Sequence, residues 1–209
     1  MDTLCNLCEN KDMDKTTHRK HILKERSRIS ETDREEKSKK ITSLITASDF
    51  FRNAKSVFCY LSVKGEPDTK GIILSACETG KKVYVPRTCR DGNMETVEID
   101  EQAYMAHKDW PVYYCIPEPP HDIPSAPKPD LDLVLVPSLA LDKEGYRLGH
   151  GAGYYDNFIA KYSSDIKRPV FAAVQFSEFL SDDPVPREKH DQKVDLIVTE
   201  EGIFTVSFA

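Results

Sequence analysis

The sequence predicts an α/β fold: a single domain with a largely parallel open sheet flanked by helices, with two N-terminal helices ahead of the sheet. The first observation is that short, apolar β-type runs alternate along the chain with helix-type patterns. The second is that the most apolar run, residues 131–137, is bounded by prolines, as expected for a buried strand. The third is length, because 209 residues suit one such domain.

Two helices are predicted before the first strand. Residues 15–28 are locally basic and carry a thin apolar stripe at helical spacing. Ser30 is expected to cap the second helix, because a polar, amphipathic run follows it toward Ile41 and Ile45. Lys15 and Arg19 are four residues apart and would lie on one side of the first helix. That side is either exposed to solvent or binds one polyphosphate through both cations.

The remainder of the chain alternates between strands and helices. We expect helices over residues 68–79 and from Gly153 onward, and strands over residues 57–61, 82–86, 95–99, 131–137, 169–174, 194–199 and 203–206. The turn Asp91-Gly92-Asn93 favours a hairpin between the second and third of these strands. Residues 117–129 contain six prolines and are expected to form an irregular surface loop.

Composition excludes several classes of protein. A net charge of −6 argues against general nucleic-acid binding, which requires a basic face. No apolar run approaches the roughly 20 residues of a membrane span, and the N-terminus resembles neither a signal nor a transit peptide. We therefore expect a cytoplasmic monomer with neither nucleic acid nor membrane as a partner. Residues 1–14 are expected to be a flexible tail, and residues 15–209 the domain.

The N-terminal segment also contains a candidate metal site. Cys5 and Cys8 form a Cys-x-x-Cys pair, and His18 and His21 follow it. Zinc fingers place about twelve residues between the pairs and three to five between the histidines, whereas nine and two residues intervene here. We therefore favour a reduced, frayed tail over a structural zinc site.

The most informative run of the chain is Tyr146-Arg147-Leu148-Gly149-His150-Gly151-Ala152-Gly153-Tyr154-Tyr155-Asp156. A glycine loop that leads into a helix N-terminus directs free N–H groups and the positive end of the helix dipole at one point, which suits phosphate. Arg147 adds a positive charge, and Asp156 offers a carboxylate to a cation such as Mg²⁺.

The glycines alone leave a simpler alternative open, namely a tight turn whose aspartate complements the helix dipole. Two known glycine motifs are excluded. A P-loop would end in Gly-Lys-Ser or Gly-Lys-Thr, and neither is present. A dinucleotide-binding loop would need differently spaced glycines and an acidic residue at the end of the next strand, where Gln175 stands.

As a whole, residues 147–156 resemble the signature of the 5-formyltetrahydrofolate cyclo-ligase family, also called methenyltetrahydrofolate synthetases: Arg-Leu-Gly-x-Gly-x-Gly-Tyr-Tyr-Asp. The resemblance extends, in the right order, over roughly residues 15–200. Further matching positions are Lys15 and Arg19, Tyr60-Leu61-Ser62 with Glu66, residues 83–87, 116–119 and 135–137, Leu141-Asp142, Gly145, His190-Asp191 and Val194-Asp195.

The resemblance implies ATP-dependent cyclisation of 5-formyltetrahydrofolate to 5,10-methenyltetrahydrofolate, with release of ADP and phosphate and with Mg²⁺ as cofactor. No covalent nucleophile is implied. The implied ATP-binding residues are Lys15, Arg19, Arg147, Leu148, Gly149, His150, Gly151, Ala152, Gly153, Tyr154 and Tyr155. The implied substrate-binding residues are Leu61, Glu66, Tyr114, His150, Gly151, Ala152, Gly153 and Tyr154. The implied metal ligands are Asp156 and Asp195.

Two reservations apply to these assignments. His150 and Ala152 fill variable positions of the signature where some relatives carry Lys or Arg, so side-chain contacts to phosphate from these positions remain open. Asp195 lies in a strand-like run, where a solvent-facing residue of an alternating strand is an equally good interpretation. A catalytically inactive nucleotide-binding or interaction protein of the same fold is the alternative function.

Overall fold

The computed structural model describes residues 14–89, 92–113 and 116–207. Cys5, Cys8 and most of the expected tail therefore lie outside the described residues. Within them there are six α-helices: α1 (Lys15–Arg26), α2 (Glu31–Ala47), α3 (Asp49–Arg52), α4 (Lys70–Glu78), α5 (Glu101–Met105) and α6 (Tyr154–Ser163). Two short 3₁₀ helices span His107–Asp109 and Ser177–Phe179.

Thirteen strands are present in the same part of the chain. They are β1 (Ser56–Phe58), β2 (Lys82–Thr88), β3 (Met94–Ile99), β4 (Val112–Tyr113), β5 (Ile116–Pro117), β6 (Ser125–Ala126), β7 (Leu133–Pro137), β8 (Ala140–Asp142), β9 (Arg147–Leu148), β10 (Val170–Val174), β11 (Leu180–Ser181), β12 (Leu196–Thr199) and β13 (Gly202–Thr205).

The central sheet has eight strands in the order β13-β12-β10-β7-β1-β2-β3-β6. The five strands from β12 to β2 are mutually parallel, whereas β13, β3 and β6 add antiparallel edges. This confirms the predicted α/β domain with a largely parallel open sheet. The parallel strands reverse their order of addition between β1 and β7, the position at which open α/β sheets usually bind ligands beyond the strand ends.

Apolar residues cover both faces of this sheet. Leu133 and Leu135 pack in one fully buried cluster with Ile41 of α2. The alternate residue Val134 joins a second cluster with Phe158 of α6. Successive residues of a strand point to opposite faces, so β7 contributes to both layers of core. This is why β7, Leu133–Pro137, is apolar throughout rather than alternating.

The two N-terminal helices form where they are predicted. The Asp14 carboxylate accepts a hydrogen bond from the Thr17 backbone N–H and begins α1. The Ser30 hydroxyl accepts one from the Asp33 backbone N–H and begins α2, which confirms the predicted cap. No helix in the described part of the chain combines the length and apolar character needed to cross a bilayer.

The proline-rich segment differs from its prediction as an irregular loop. Ser125 and Ala126 form β6, which pairs with Thr96 and Val97 of β3 at the edge of the sheet. Proline lacks a ladder donor and is tolerated beside so short an edge strand, so two non-proline residues between Pro124 and Pro127 are enough for pairing. The short helices α3 and α5 were not predicted, because four and five residues hold too little periodic pattern.

Candidate functional site

A cleft of about 490 Å³ opens at the carboxyl ends of the parallel strands, beside the reversal between β1 and β7. Its walls include Tyr60 and Leu61 after β1, Pro86 near the end of β2, and Pro137 at the end of β7. The volume lies in the usual range for small-molecule sites. The cleft contains these predicted residues: Lys15, Arg19, Leu61, Glu66, Arg147, Leu148, Gly149, His150, Gly151, Ala152, Gly153, Tyr154, Tyr155 and Asp156.

The glycine loop is bent sharply between β9 and α6. Gly151 has a φ of +108°, and a β-carbon there would lie 3.2 Å from the guanidinium carbon of Arg19. Gly153 adopts the left-handed conformation at a φ of +71° and begins the ten-residue helix α6. The loop therefore requires glycine both for backbone conformation and for close approach, and it directs the α6 N-terminus into the cleft.

Arg147 is the most unusual charged group of the cleft. The residue is 7% exposed. Its Nη2 lies 2.9 Å from Asp156 Oδ1, but at an angle that does not make a hydrogen bond. Among the described residues, neither Nε nor Nη2 of this guanidinium has a hydrogen-bond partner. Buried N–H groups normally find partners, so this guanidinium in the cleft wall is short of hydrogen bonds among the described residues.

The hairpin of β8 and β9 delivers Arg147 to this position. Asp142, next to the turn of this hairpin, is buried and accepts hydrogen bonds from the backbone N–H groups of Tyr146 and Val185. Burial raises the pKa of Asp142, although these hydrogen bonds oppose the shift. The carboxylate ties the hairpin to the segment that leads toward residue 188, and both then face the cleft.

Lys15 and Arg19 reach the cleft from the first turns of α1, as predicted. Arg19 Nε donates to the Gly149 carbonyl oxygen at 2.8 Å. Lys15 Nζ lies 2.9 Å from Glu188 Oε2 and 2.7 Å from Asp191 Oδ2. Burial favours the neutral amine, but the hydrogen bonds to Asp191 and Glu188 outweigh it and raise the pKa of Lys15. Arg19 therefore contacts the glycine loop, whereas Lys15 contacts the segment 188–191.

The carboxylates near Lys15 and Arg19 come from two segments of the chain. Asp156 Oδ1, on the first turn of α6, accepts a hydrogen bond from the Gln192 backbone N–H at 3.0 Å. This contact brings residues 188–192 against α6. Ligand atoms of Glu188, His190 and Asp191 lie within 4.8 Å of one another, and all three residues border the cleft. Asp156 and Asp191 thus contribute to the same cleft.

Asp195 does not border the cleft, and this departs from the expectation that it pairs with Asp156 on one metal ion. It lies just before β12, where its Oδ2 accepts hydrogen bonds from the Phe171 N–H at 2.8 Å and from Arg168 at 2.9 Å. Parallel strands begin at one edge of a sheet and end at the other, so Asp195 lies at the edge away from the strand ends. Asp191 is the aspartate of this segment that reaches the cleft.

Glu66, predicted to bind substrate, lines the cleft. It is 6% exposed, and its Oε2 accepts a hydrogen bond from the Val63 N–H. His150 Nε2 lies 3.7 Å from Glu66 Oε1 and pairs with it when the imidazole is protonated. Burial first, and the nearby Glu66 carboxylate second, raise the pKa values of Tyr60 and Tyr155 well above the ordinary value. Both phenols therefore stay protonated beside the carboxylate.

The remaining predicted aromatic residues differ in outcome. Tyr154 borders the cleft, and its hydroxyl donates to the Cys89 carbonyl oxygen. Tyr114 lies outside the described residues, although Tyr113 and Ile116 on either side of that gap border the cleft.

Sequence reasoning assigned no role to several residues of the cleft wall. Glu118 is 4% exposed and accepts hydrogen bonds from the Thr88 hydroxyl and N–H, which attaches the proline-rich segment to β2. Its place in the matching block 116–119 was the available signal. Glu188 offered none, because it is one of many surface acids in the sequence.

Comparison with known proteins gives a consistent result. A model of the 5-formyltetrahydrofolate cyclo-ligase family matches residues 11–200. The chain is 31% identical over 185 residues to 5-formyltetrahydrofolate cyclo-ligase from Saccharomyces cerevisiae, a match that covers 79% of this chain and 83% of the yeast protein. It is 30% identical over 190 residues to 5-formyltetrahydrofolate cyclo-ligase from Mus musculus, covering 86% and 91%. The solved structure of Aquifex aeolicus 5,10-methenyltetrahydrofolate synthetase superposes with a TM-score of 0.78 at 26% identity, covering 94% of this chain and 95% of that one. This chain belongs to the 5-formyltetrahydrofolate cyclo-ligase family.

Proposed function

We propose that this protein catalyses the ATP-dependent cyclisation of 5-formyltetrahydrofolate to 5,10-methenyltetrahydrofolate, with release of ADP and phosphate. The observation that carries the proposal is the polarity of one cleft. Its cationic end combines the glycine loop with the buried guanidinium of Arg147, in which Nε and Nη2 have no hydrogen-bond partner among the described residues. Its other end has the buried carboxylate of Glu66 between aromatic and apolar walls. The first end suits a triphosphate and the second a reduced pterin, which carries N–H donors.

The triphosphate would be held by fixed charges and backbone donors. Arg147 and the glycine loop before α6 both line the cleft, and two nitrogens of the Arg147 guanidinium have no hydrogen-bond partner among the described residues. Arg19 is anchored to Gly149 and adds a charge at the entrance to the loop. Lys15 lies close by, held by carboxylates that line the same cleft. Preorganised donors of this kind are the main contribution a protein makes to phosphoryl transfer.

The folate would occupy the apolar part of the cleft. Glu66 would accept hydrogen bonds from N–H groups of the pterin, and Leu61 and Tyr154 would border its rings. A bidentate acceptor surrounded by apolar walls fixes the orientation of a flat heterocycle, because any other pose leaves a buried carboxylate unsatisfied. That orientation would present the formyl oxygen to the triphosphate end.

The residues of the cleft fit a magnesium ion. Asp156 and Asp191 are oxygen donors on two segments joined by the Gln192–Asp156 hydrogen bond. The ligand atoms of Asp191, Glu188 and His190 lie within 4.8 Å of one another. Mg²⁺ prefers few carboxylates together with water and phosphate oxygens. We therefore propose Asp156 and Asp191, rather than Asp156 and Asp195, as the residues that hold it. When bound, the ion would offset the negative charge of the triphosphate.

The chemistry follows from the substrate. The formyl group on N5 is amide-like, so its carbon is a poor electrophile and its oxygen a poor leaving group. Transfer of the γ-phosphoryl group to that oxygen breaks the bond to ADP and forms a phosphorylated intermediate. N10 then attacks the formyl carbon and loses its proton, and phosphate leaves with the former carbonyl oxygen. The residues of the cleft would align the two substrates and balance charge, without a covalent nucleophile.

The test is a direct assay of the purified full chain with 5-formyltetrahydrofolate, ATP and Mg²⁺. We expect absorbance of the methenyl product to appear together with stoichiometric ADP and phosphate. Omission of ATP, or replacement by a non-hydrolysable analogue, should abolish the product. Tight ATP binding without product would refute the proposal and favour the alternative of an inactive nucleotide-binding member of the fold.

A further inference from the structure

We propose that Arg26, assisted by Arg34, is a positioning residue that holds Glu66 in its orientation toward the folate substrate. This inference rests on the proposed function for its kinetic readout. Arg26 lies at the end of α1, is 4% exposed, and does not border the main cleft. A buried guanidinium is costly unless its donors are satisfied, so its partners indicate what it stabilises.

The guanidinium of Arg26 joins the two segments that flank the strand reversal. Its Nε and Nη2 donate to the Gly65 carbonyl oxygen at 2.9 and 2.6 Å, in the loop that follows β1. Its Nη1 donates to the Ser138 carbonyl oxygen at 2.9 Å, just after β7. One side chain therefore connects the residue before Glu66 to the end of a central strand.

The Ser138 end of this connection is fixed to the sheet. Gln175 follows β10 and is fully buried. Its Nε2 donates to the Ser138 carbonyl oxygen at 2.6 Å and to the Leu139 carbonyl oxygen at 2.9 Å. The Ser138 carbonyl thus accepts from Gln175 and Arg26 together. Arg26 is therefore anchored to the ends of β7 and β10, two neighbouring central strands of the sheet.

The Gly65 end of the connection determines the loop that carries Glu66. Gly65 has a φ of +87°, the left-handed conformation that favours glycine. Arg34 Nη1 donates to the next carbonyl oxygen, that of Glu66, at 3.3 Å. Two arginines from α1 and α2 thus hold the consecutive carbonyls of Gly65 and Glu66. The Glu66 N–H, in turn, donates to the Val63 carbonyl oxygen and closes the turn.

Charge strengthens the coupling between Arg26 and Glu66. Burial lowers the pKa of Arg26, and the Glu66 carboxylate partly opposes that shift. Lysine in place of Arg26 would keep the charge but lose the planar fork that reaches two carbonyls at once. Loop 62–69 would then lose its link to β7, while the fold and the ATP end of the cleft would keep their contacts.

The kinetic test compares Arg26→Lys with a matched control, Arg28→Lys. Arg28 is an exposed residue two positions away that pairs with Glu25. For Arg26→Lys we expect the KM for 5-formyltetrahydrofolate to rise about ten- to a hundredfold, the range for lost hydrogen bonds to a charged group, with the KM for ATP within about twofold. Arg28→Lys should change neither. An unchanged folate KM, or an equal rise in both KM values, would overturn the proposal.

A double-mutant cycle shows whether Arg26 acts through Glu66. In a Glu66→Gln background, Arg26→Lys should have little further effect on the folate KM, because the side chain it positions has already lost its charge. Fully additive effects would mean that Arg26 supports the protein in some other way, and would contradict the proposal.

Hydrogen exchange gives a readout that does not depend on the proposed activity. Arg26→Lys should accelerate exchange of the Val63 and Glu66 amides, both of which are hydrogen-bonded within the turn, relative to the amides of β7. If the unmodified protein does not cyclise the substrate, the proposed function fails but this comparison still decides the positioning role. If Arg26→Lys does not fold, Arg34→Lys should show the same changes at smaller amplitude. Unchanged exchange and KM in that variant would overturn the proposal.

Discussion

Two Arg–Asp pairs at opposite ends of the sheet have the same separation but different surroundings. Arg168 and Asp195 lie 2.9 Å apart at the edge where the parallel strands begin. Arg147 and Asp156 lie 2.9 Å apart in the cleft where the strands end. The first pair is a hydrogen bond between side chains that are 36% and 20% exposed. The second is 4% and 13% exposed and lacks hydrogen-bond geometry.

The difference shows what distinguishes an anchoring charge from one that is ready for a ligand. At the strand-start edge, carboxylates tie neighbouring strands together: Asp195 accepts from the Phe171 N–H, and Asp132 accepts from the N–H groups of Lys55 and Ser56. In the cleft, Arg147 is more deeply buried, yet two of its nitrogens have no hydrogen-bond partner in the part of the chain that the structure describes. A charged group that is buried without a full set of hydrogen bonds lowers the stability of the fold. Proteins usually tolerate such groups at functional sites.

The largest expected effect separates the two arginines. Arg147→Ala should reduce ATP-dependent turnover about a hundred- to a thousandfold, because it removes a preorganised donor to transferring phosphate. Arg168→Ala should leave turnover within about twofold, since its partner anchors the far edge of the sheet. The measurement is kcat/KM for ATP in both variants, with circular dichroism to confirm folding. Equal losses in both variants would remove the distinction between the two pairs.

The aspartates should divide in the same way. Asp156→Asn and Asp191→Asn should each lower turnover about ten- to a hundredfold, the effect of losing one charged interaction in the cleft. Their double variant should lose clearly less than the product of the single effects, because residues that act on one ion are non-additive.

Asp195→Asn is the matched control for those two variants. It should leave turnover essentially unchanged and lower the free energy of unfolding by about 1 kcal/mol, through a weaker hydrogen bond to Phe171 and the lost ion pair. Chemical denaturation and steady-state kinetics measure the two quantities. A strong loss of turnover in Asp195→Asn, with Asp191→Asn unaffected, would restore the original pairing of Asp156 with Asp195.

The smallest expected effect is the pH dependence of stability contributed by Asp132, at the edge of the sheet where the parallel strands begin. At Asp132 burial favours the neutral acid, but hydrogen bonds from Lys167 and the Lys55 N–H outweigh it and lower the pKa. A folded-state pKa below the unfolded value, about 3.9, contributes stability that is present above that pH and lost as pH falls through the lower folded-state value. Asp132→Asn keeps a side-chain oxygen that accepts from backbone N–H groups and removes the charge.

The stability difference between the native protein and Asp132→Asn should therefore be constant from pH 7 to about 5 and shrink below about pH 4. Denaturation curves at several pH values measure it, and turnover at pH 7 should not change. A difference that stays constant down to pH 3 would show that the Asp132 charge does not stabilise the strand starts.

The sequence already predicted much of the cleft. The signature around Arg147 predicted the family, which the family model and the relatives confirm. It also predicted the residues of the glycine loop that the structure brings together in one cleft. Local patterns were sufficient there because loop geometry depends on glycines that stand next to one another. The cap at Ser30 and the apolar run of β7 were predictable for the same reason.

Asp195 shows where local pattern is insufficient. Asp191 and Asp195 are four residues apart in one matching block, and residue type alone does not reveal which one faces Asp156. The structure separates them, because β12 begins at Leu196 and sets Asp195 beside Phe171, while the Asp156–Gln192 contact holds Asp191 at the cleft. Neither contact has a signal in the sequence.

By itself, the sequence determined the fold class, the family and the loop that forms the cationic end of the cleft, because these follow from periodicity and from contiguous residues. Only the tertiary structure decided which aspartate joins that loop, that Arg147 keeps unpartnered donors, and that Arg26 connects Gly65 to Ser138 across 39 and 112 positions. The physical reason is that saturation of a buried charge depends on partners from distant segments, and those partners meet only when the strands pair and the helices pack.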